Sequence, residues 1–200
     1  MKKKGSTFVY KFEGKLYINL TNKCTHNCDF CIRKNEVGIE GYNLWLDHEP
    51  AAAEVIAQIN QMGKGDVTFC GYGEPTMCIE TLKEVAAYVK GYGGKVRVNT
   101  NGMANRYYER DVAAELAGLV DTMSISLNQA TAEKYQSICH SIYGEQSFYD
   151  MLEFARASVE AGIDTVLSVV DVIPSEDIER CEELANQTGA RLRVRAYQKD

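Results

Sequence analysis

The stretch Leu16–Cys31, LYINLTNKCTHNCDFC, joins two patterns. Leu16, Ile18 and Leu20 alternate with Tyr17 and Asn19, the period of a strand with one buried face. Three cysteines come next in C-x3-C-x2-C spacing, Cys24, Cys28 and Cys31, on what reads as a loop. Three thiolates this close can ligate three corners of an iron–sulfur cubane and leave one iron open to a small molecule, the arrangement of a catalytic metal site. Zinc competes for the same residues, with His26 as a fourth ligand. Structural zinc, however, usually draws paired ligands from two separated segments.

Outward from this loop, short β-rich runs alternate with longer helical ones. Strands are expected at 66–70, 95–99, 121–127, 165–172 and 191–197. Helices are expected from Pro50 to a stop at Gly63, and over 79–90, 107–119, 130–138, 147–161 and 175–186. Six strands separated by helices imply parallel pairing through right-handed crossovers. No linker or repeat breaks the series, so residues 1–200 read as a single α/β domain. It is either an open doubly wound sheet or a partial (βα)6 TIM-like barrel of parallel strands. A closed eight-stranded barrel needs about 250 residues.

Polar residues gather on one face of several strands: Tyr17/Asn19/Thr21, Thr68/Cys70, Arg97/Asn99, Ser124/Ser126/Asn128 and Arg191/Arg193/Arg195. Such faces fit a wet cavity at the carboxyl ends of the strands, where ligands bind in these sheets. Edge strands that simply face water are the alternative. The second strand ends in Gly71-Tyr72-Gly73-Glu74-Pro75, whose glycines let backbone approach a ligand closely.

Composition narrows the function. The net charge of −6 argues against binding that works by neutralising nucleic-acid phosphates. No run of eighteen apolar residues spans a membrane, and the basic start, Lys2–Lys4, does not lead into the apolar stretch of a signal peptide; a cytoplasmic protein is expected. Seven cysteines, an odd number, speak for metal or redox chemistry over a disulfide framework.

The cysteine triad, the GEP turn, Asn99–Gly102 (NTNG) and Ser124–Asn128 (SISLN) occur in the order seen in the radical S-adenosylmethionine superfamily, which the chain resembles over nearly its whole length. Residues 22–33, Gly41–Leu46 (GYNLWL), 69–75 and 120–128 further resemble small members described as associated with TatD-type nucleases. The resemblance implies a [4Fe–4S] cluster on Cys24, Cys28 and Cys31, in a cluster loop spanning 22–33. It also implies that S-adenosylmethionine chelates the fourth iron. Phe30 would lie against the adenine, and the turn of Tyr72, Gly73 and Glu74 would receive the methionine amino group. Asn99 and Thr100 would hold the methionine or ribose end, and Ser126 and Asn128 the ribose and carboxylate. Tyr72 departs from the glycine usual at its position. A reductant such as flavodoxin or ferredoxin is implied as a partner.

The expected activity is reductive cleavage of S-adenosylmethionine to a 5′-deoxyadenosyl radical that takes hydrogen from a small anionic substrate. Arg97, Arg193 and Arg195 could clamp such an anion, since guanidinium forks suit carboxylate and phosphate; a solvated edge strand accounts for them equally. The alternatives are an activase acting on a partner protein, and a non-catalytic iron–sulfur or S-adenosylmethionine-binding regulator. A protein partner or a homodimer would cover the edges of an incomplete barrel. Cys70, Cys78, Cys139 and Cys181 share no C-x2-C spacing, so buried thiols are expected there and no auxiliary-cluster extension. His48 and His140 are expected to be structural, and Trp45 to cover the barrel mouth or to anchor its loop.

Overall fold

The structure, a computed structural model, describes residues 7–34, 39 and 41–196. The chain packs as two compact units. Seven strands and seven α-helices are found among the described residues, and every described strand pair except the first is parallel.

The first unit holds residues 7–24, 30–34, 39, 41–99 and 119–121. It begins with an antiparallel hairpin, β1 (Val9–Phe12) and β2 (Lys15–Ile18), of which the sequence pattern predicts only the strand at Leu16. Its two-residue turn, Glu13-Gly14, has positive φ at both positions (48° and 76°), the backbone that matches the twist of paired strands. The N–H groups of Phe8 and Val9 donate to Gln58 Oε1 at 3.1 and 3.0 Å, which ties the start of β1 to a helix. That glutamine lies on α1 (Ala52–Met62), which ends at Gly63 as expected. β3 (Val67–Phe69) and β4 (Val96–Thr100) come next in order, with α2 (Ile79–Gly91) between them. The parallel register pairs Leu16 with Val67 and Ile18 with Phe69, then Val67 with Val96 and Phe69 with Val98. All six side chains are buried, as are Val55 and Ile59 of α1 and Leu82, Val85 and Val89 of α2.

The second unit holds residues 25–29, 100–118 and 122–196. β5 (Thr122–Ser126), β6 (Asp164–Val170) and β7 (Arg191–Arg195) pair in parallel and in that order. α5 (Ala132–Cys139), α6 (Gln146–Glu160) and α7 (Ser175–Thr188) are the intervening helices. Of the strand expected at 191–197, residue 197 lies outside the described residues. β7 exposes Arg191, Arg193 and Arg195 on one face, and Val194 on the other is 45% exposed. Arg191 forms a surface ion pair with Asp164 at 2.8 Å.

One expected helix is broken. The pattern of residues 107–119 predicts a continuous helix, but α3 (Ala104–Tyr108) stops at Glu109, whose φ is 52°, and α4 (Val112–Glu115) starts afresh. Asp111 accepts from Ala114 N at 3.1 Å, and Asn105 Oδ1 accepts from Val112 N at 2.8 Å. These side chains satisfy amides that a continuous helix would bond to preceding carbonyls. No described helix is long and apolar enough to cross a membrane. Asp111→Ala should remove the cap and lower stability by about 1 kcal/mol, read as a lower urea midpoint at unchanged slope.

Candidate functional site

In the first unit, the loop leaving β2 and the glycine turn leaving β3 are fastened together. Asn19, wholly buried, accepts from Tyr72 N at 3.3 Å and donates to Leu44 O at 2.8 Å. Glu74 N donates to Lys23 O at 2.8 Å. A Cβ on Gly71 would collide with Asn19 Oδ1, and one on Gly73 would sit 2.6 Å from Lys23 O and closer still to Thr21 O. Both glycines are therefore needed to bring the turn onto the residues just before Cys24. Asn22 locks the same loop through Leu46, donating to its carbonyl at 2.8 Å and accepting from its N–H at 3.0 Å.

Tyr72 resolves its departure from glycine by turning into the core. It is 3% exposed, clusters with Tyr10 and Leu44, and meets Trp45 edge to face at 5.2 Å. Burial, with the neighbouring Cys31, pushes its phenol above the ordinary value. Trp45 thereby anchors its loop to this aromatic cluster. Glu74 is buried, and its carboxylate caps the 3-10 turn after it, accepting from Thr76 N at 3.1 Å and Thr76 Oγ1 at 2.7 Å. Phe30 is 54% exposed. Arg97 donates from Nε to Asn99 Oδ1 at 2.9 Å along β4. Cys78 donates to Leu20 O at 3.7 Å, and burial pushes its thiol up to about 11, as fits a structural cysteine.

In the second unit, the middle of the cysteine loop is clipped to the end of α5. Asn27 N donates to Cys139 O at 3.1 Å, Asp29 N to Ile138 O at 2.9 Å, and Ile142 N to Thr25 O at 3.0 Å. His26, 4% exposed, completes the attachment. Its Nδ1 accepts from Asn101 Nδ2 at 2.9 Å and faces Thr25 Oγ1 at 3.1 Å, which leaves the proton on Nε2 for donation to Tyr135 Oη at 3.0 Å. Burial pushes its pKa down to about 4, so the ring is neutral at physiological pH. With both nitrogens engaged inside the protein, His26 is a structural residue and not a zinc ligand. The sequence offers only its proximity to cysteines, which points the wrong way.

Thr100 and Asn128 are buried, and Thr100 Oγ1 accepts from Gly102 N at 3.0 Å. Asn128 has a left-handed φ of 59° and donates from Nδ2 to Cys139 Sγ at 3.4 Å. Cys139 also receives a hydrogen bond from Cys28, which together with Asn128 and Tyr135 holds its thiol below the ordinary value despite burial. Ser126 is half-buried at the end of β5, and Arg193 and Arg195 face solvent.

Of the proposed ligands, Cys24 and Cys31 belong to the first unit and Cys28 to the second; all three are partly exposed, and none of the seven cysteines is in a disulfide. Among the described residues no three His, Cys, Asp or Glu side chains converge on one point as a single metal ion requires. An iron–sulfur cubane instead takes thiolates at separate corners, and Cys24, Cys28 and Cys31, reduced and partly exposed, are donors of the kind it takes.

The sequence model of the radical SAM superfamily matches residues 18–188. The uncharacterized protein MJ0804 of Methanocaldococcus jannaschii is 28% identical over 127 residues, covering 63% of this chain and 38% of that protein. SuiB of Streptococcus suis, in a crystal structure bound to S-adenosylmethionine, superposes with a TM-score of 0.66 at 16% identity, over 92% of this chain and 40% of SuiB. The maturase HydG of Carboxydothermus hydrogenoformans gives a TM-score of 0.62 at 17% identity, over 92% of this chain and 44% of that one. These likenesses establish the partial TIM-like α/β barrel fold. The chain spans well under half the length of each of these relatives.

Two substitutions test the local architecture. Gly73→Ala should cost about 1–3 kcal/mol, because its methyl must push backbone rather than a flexible side chain. His26→Ala should cost about 2 kcal/mol by removing the buried hydrogen bonds that the imidazole makes to the Tyr135 hydroxyl and the Asn101 amide. Chemical unfolding of each purified variant reads both; a loss under about 0.5 kcal/mol at either site contradicts the corresponding contact.

Proposed function

The chain belongs to the radical SAM superfamily, and from that membership we propose that it is an enzyme holding a [4Fe–4S] cluster on Cys24, Cys28 and Cys31. Bound together, cluster and S-adenosylmethionine supply one-electron cleavage of the sulfonium and a 5′-deoxyadenosyl radical that abstracts hydrogen from substrate. The observation that carries the proposal is the fit of the Gly71–Gly73 turn onto Thr21–Lys23, immediately before the first proposed ligand. On this reading residues 1–200 make up one radical SAM core, of the TatD-associated type.

Each remaining role comes from how a residue is held. Tyr72 N and Glu74 N are committed inward, to Asn19 and to Lys23. The carbonyls of the same turn are the acceptors for the N–H groups of the methionine amine. Phe30, exposed beside Cys31, offers an apolar face to adenine. Asn99 and Thr100 lie at the carboxyl end of β4 and Ser126 and Asn128 at that of β5, where hydroxyl and amide groups suit ribose and carboxylate. Arg97, Arg193 and Arg195 are the candidates for holding an anionic substrate. SuiB is also known bound to its precursor peptide SuiA, so peptides belong among the substrates to be tried.

Anaerobic reconstitution with ferrous iron and sulfide should give iron and sulfide in the ratio of a [4Fe–4S] cluster. Dithionite and S-adenosylmethionine should then release 5′-deoxyadenosine, and Cys28→Ala should abolish it. Release at the same level from Cys28→Ala would overturn the assignment.

A further inference from the structure

Cys139, which its sequence context marks as an inert buried thiol, lies at the end of α5 with its sulfur in hydrogen-bond contact with that of Cys28. The flanking backbone makes this contact a built one. Asn27 and Asp29, on either side of Cys28, donate to the carbonyls of Cys139 and Ile138, and Asn128 Nδ2 holds the Cys139 sulfur from another side at 3.4 Å. The two thiols differ in access: Cys28 is partly exposed, whereas Cys139 is fully buried.

We infer that Cys28 and Cys139 form a reversible disulfide in the iron-free chain, a redox modification site that withdraws one cluster ligand. The inference rests on the reading of Cys28 as a ligand. The chemistry is thiol–disulfide exchange with a small-molecule disulfide such as oxidised glutathione. The exposed Cys28 sulfur attacks first, giving a mixed disulfide and releasing one glutathione thiol. Cys139, already in contact, then displaces the second glutathione and closes the protein disulfide. Two protein thiols are oxidised to one S–S bond, and one oxidised glutathione is reduced to two thiols. The backbone pairing of residues 27 and 29 with 139 and 138 holds the two cysteines side by side, the arrangement that a disulfide bond of about 2.0 Å requires. An iron bound at Cys28 blocks the first step, so the loaded protein is protected and only the empty chain is gated.

The test uses the full chain freed of iron by chelation and reduced. Treatment with oxidised glutathione, alkylation of remaining thiols and non-reducing peptide mass mapping should yield a Cys28–Cys139 linked peptide. The oxidised chain should lose iron uptake from ferrous iron and sulfide, and dithiothreitol should restore it. Cys139→Ala should take up iron as the parent does and lose the sensitivity to oxidised glutathione. A linkage confined to Cys24, Cys28 and Cys31, or reversible loss of iron uptake that persists in Cys139→Ala, overturns the inference. If the reduced parent chain assembles no cluster, the cluster reading falls alone, since the linked peptide still decides the disulfide.

Discussion

The parallel register of β2 and β3 is the constraint on which the loops of the first unit depend. Pairing Leu16 with Val67 and Ile18 with Phe69 makes the two strands end together, so the chain leaves both at the same edge. β2 runs on into the approach to Cys24, and β3 runs on into the glycine turn. A slip of β2 by one residue would turn Leu16 and Ile18 out of the core and shift its loop against the glycine turn. Burial of those side chains is therefore also what brings Gly73 against the carbonyls of Thr21 and Lys23. Stability and site geometry share one set of contacts here, and substitutions in these strands should not separate them.

The legible parts of the fold are those where one face is buried. Alternation in LYINL and KVRVN needs no partner to be read, because period-two burial is a local pattern, whereas all three residues of β3 are buried and its run is read from its β-branched and aromatic residues. The hairpin strand Val9–Phe12 escapes such a reading because its signal is short and lies next to a basic terminus, although Gly14 between two alternating runs marks the turn. The break at Glu109 is hidden for a different reason. Helical periodicity is read through residues 107–119, and only the capping bonds of Asp111 and Asn105 decide where one helix stops and the next begins.

The site is legible in its ligands and less so in its supports. Spacing singles out Cys24, Cys28 and Cys31 as the proposed ligands, because a shared cluster favours thiols close in sequence. Asn19, His26, Asn101 and Tyr135 serve through contacts between residues as far apart as 26 and 135, which no window of sequence contains. The pairing of Cys139 with Cys28 is hidden for the same reason: the two are remote along the chain, and only the end of α5 brings them together.

The attachment of residues 25–29 to α5 also bears on how a metallocentre is acquired. In small zinc domains the ligands are ordered by the metal, and much of the binding free energy goes into folding the chain around it. Here three backbone hydrogen bonds and a doubly bonded imidazole already fix the middle of the ligand loop. The conformational entropy of that segment is lost when the polypeptide folds, not when iron arrives. On the proposal that Cys28 ligates iron, its affinity is decoupled from global stability, and loss of the metal should leave an intact, refillable scaffold instead of an unfolded chain.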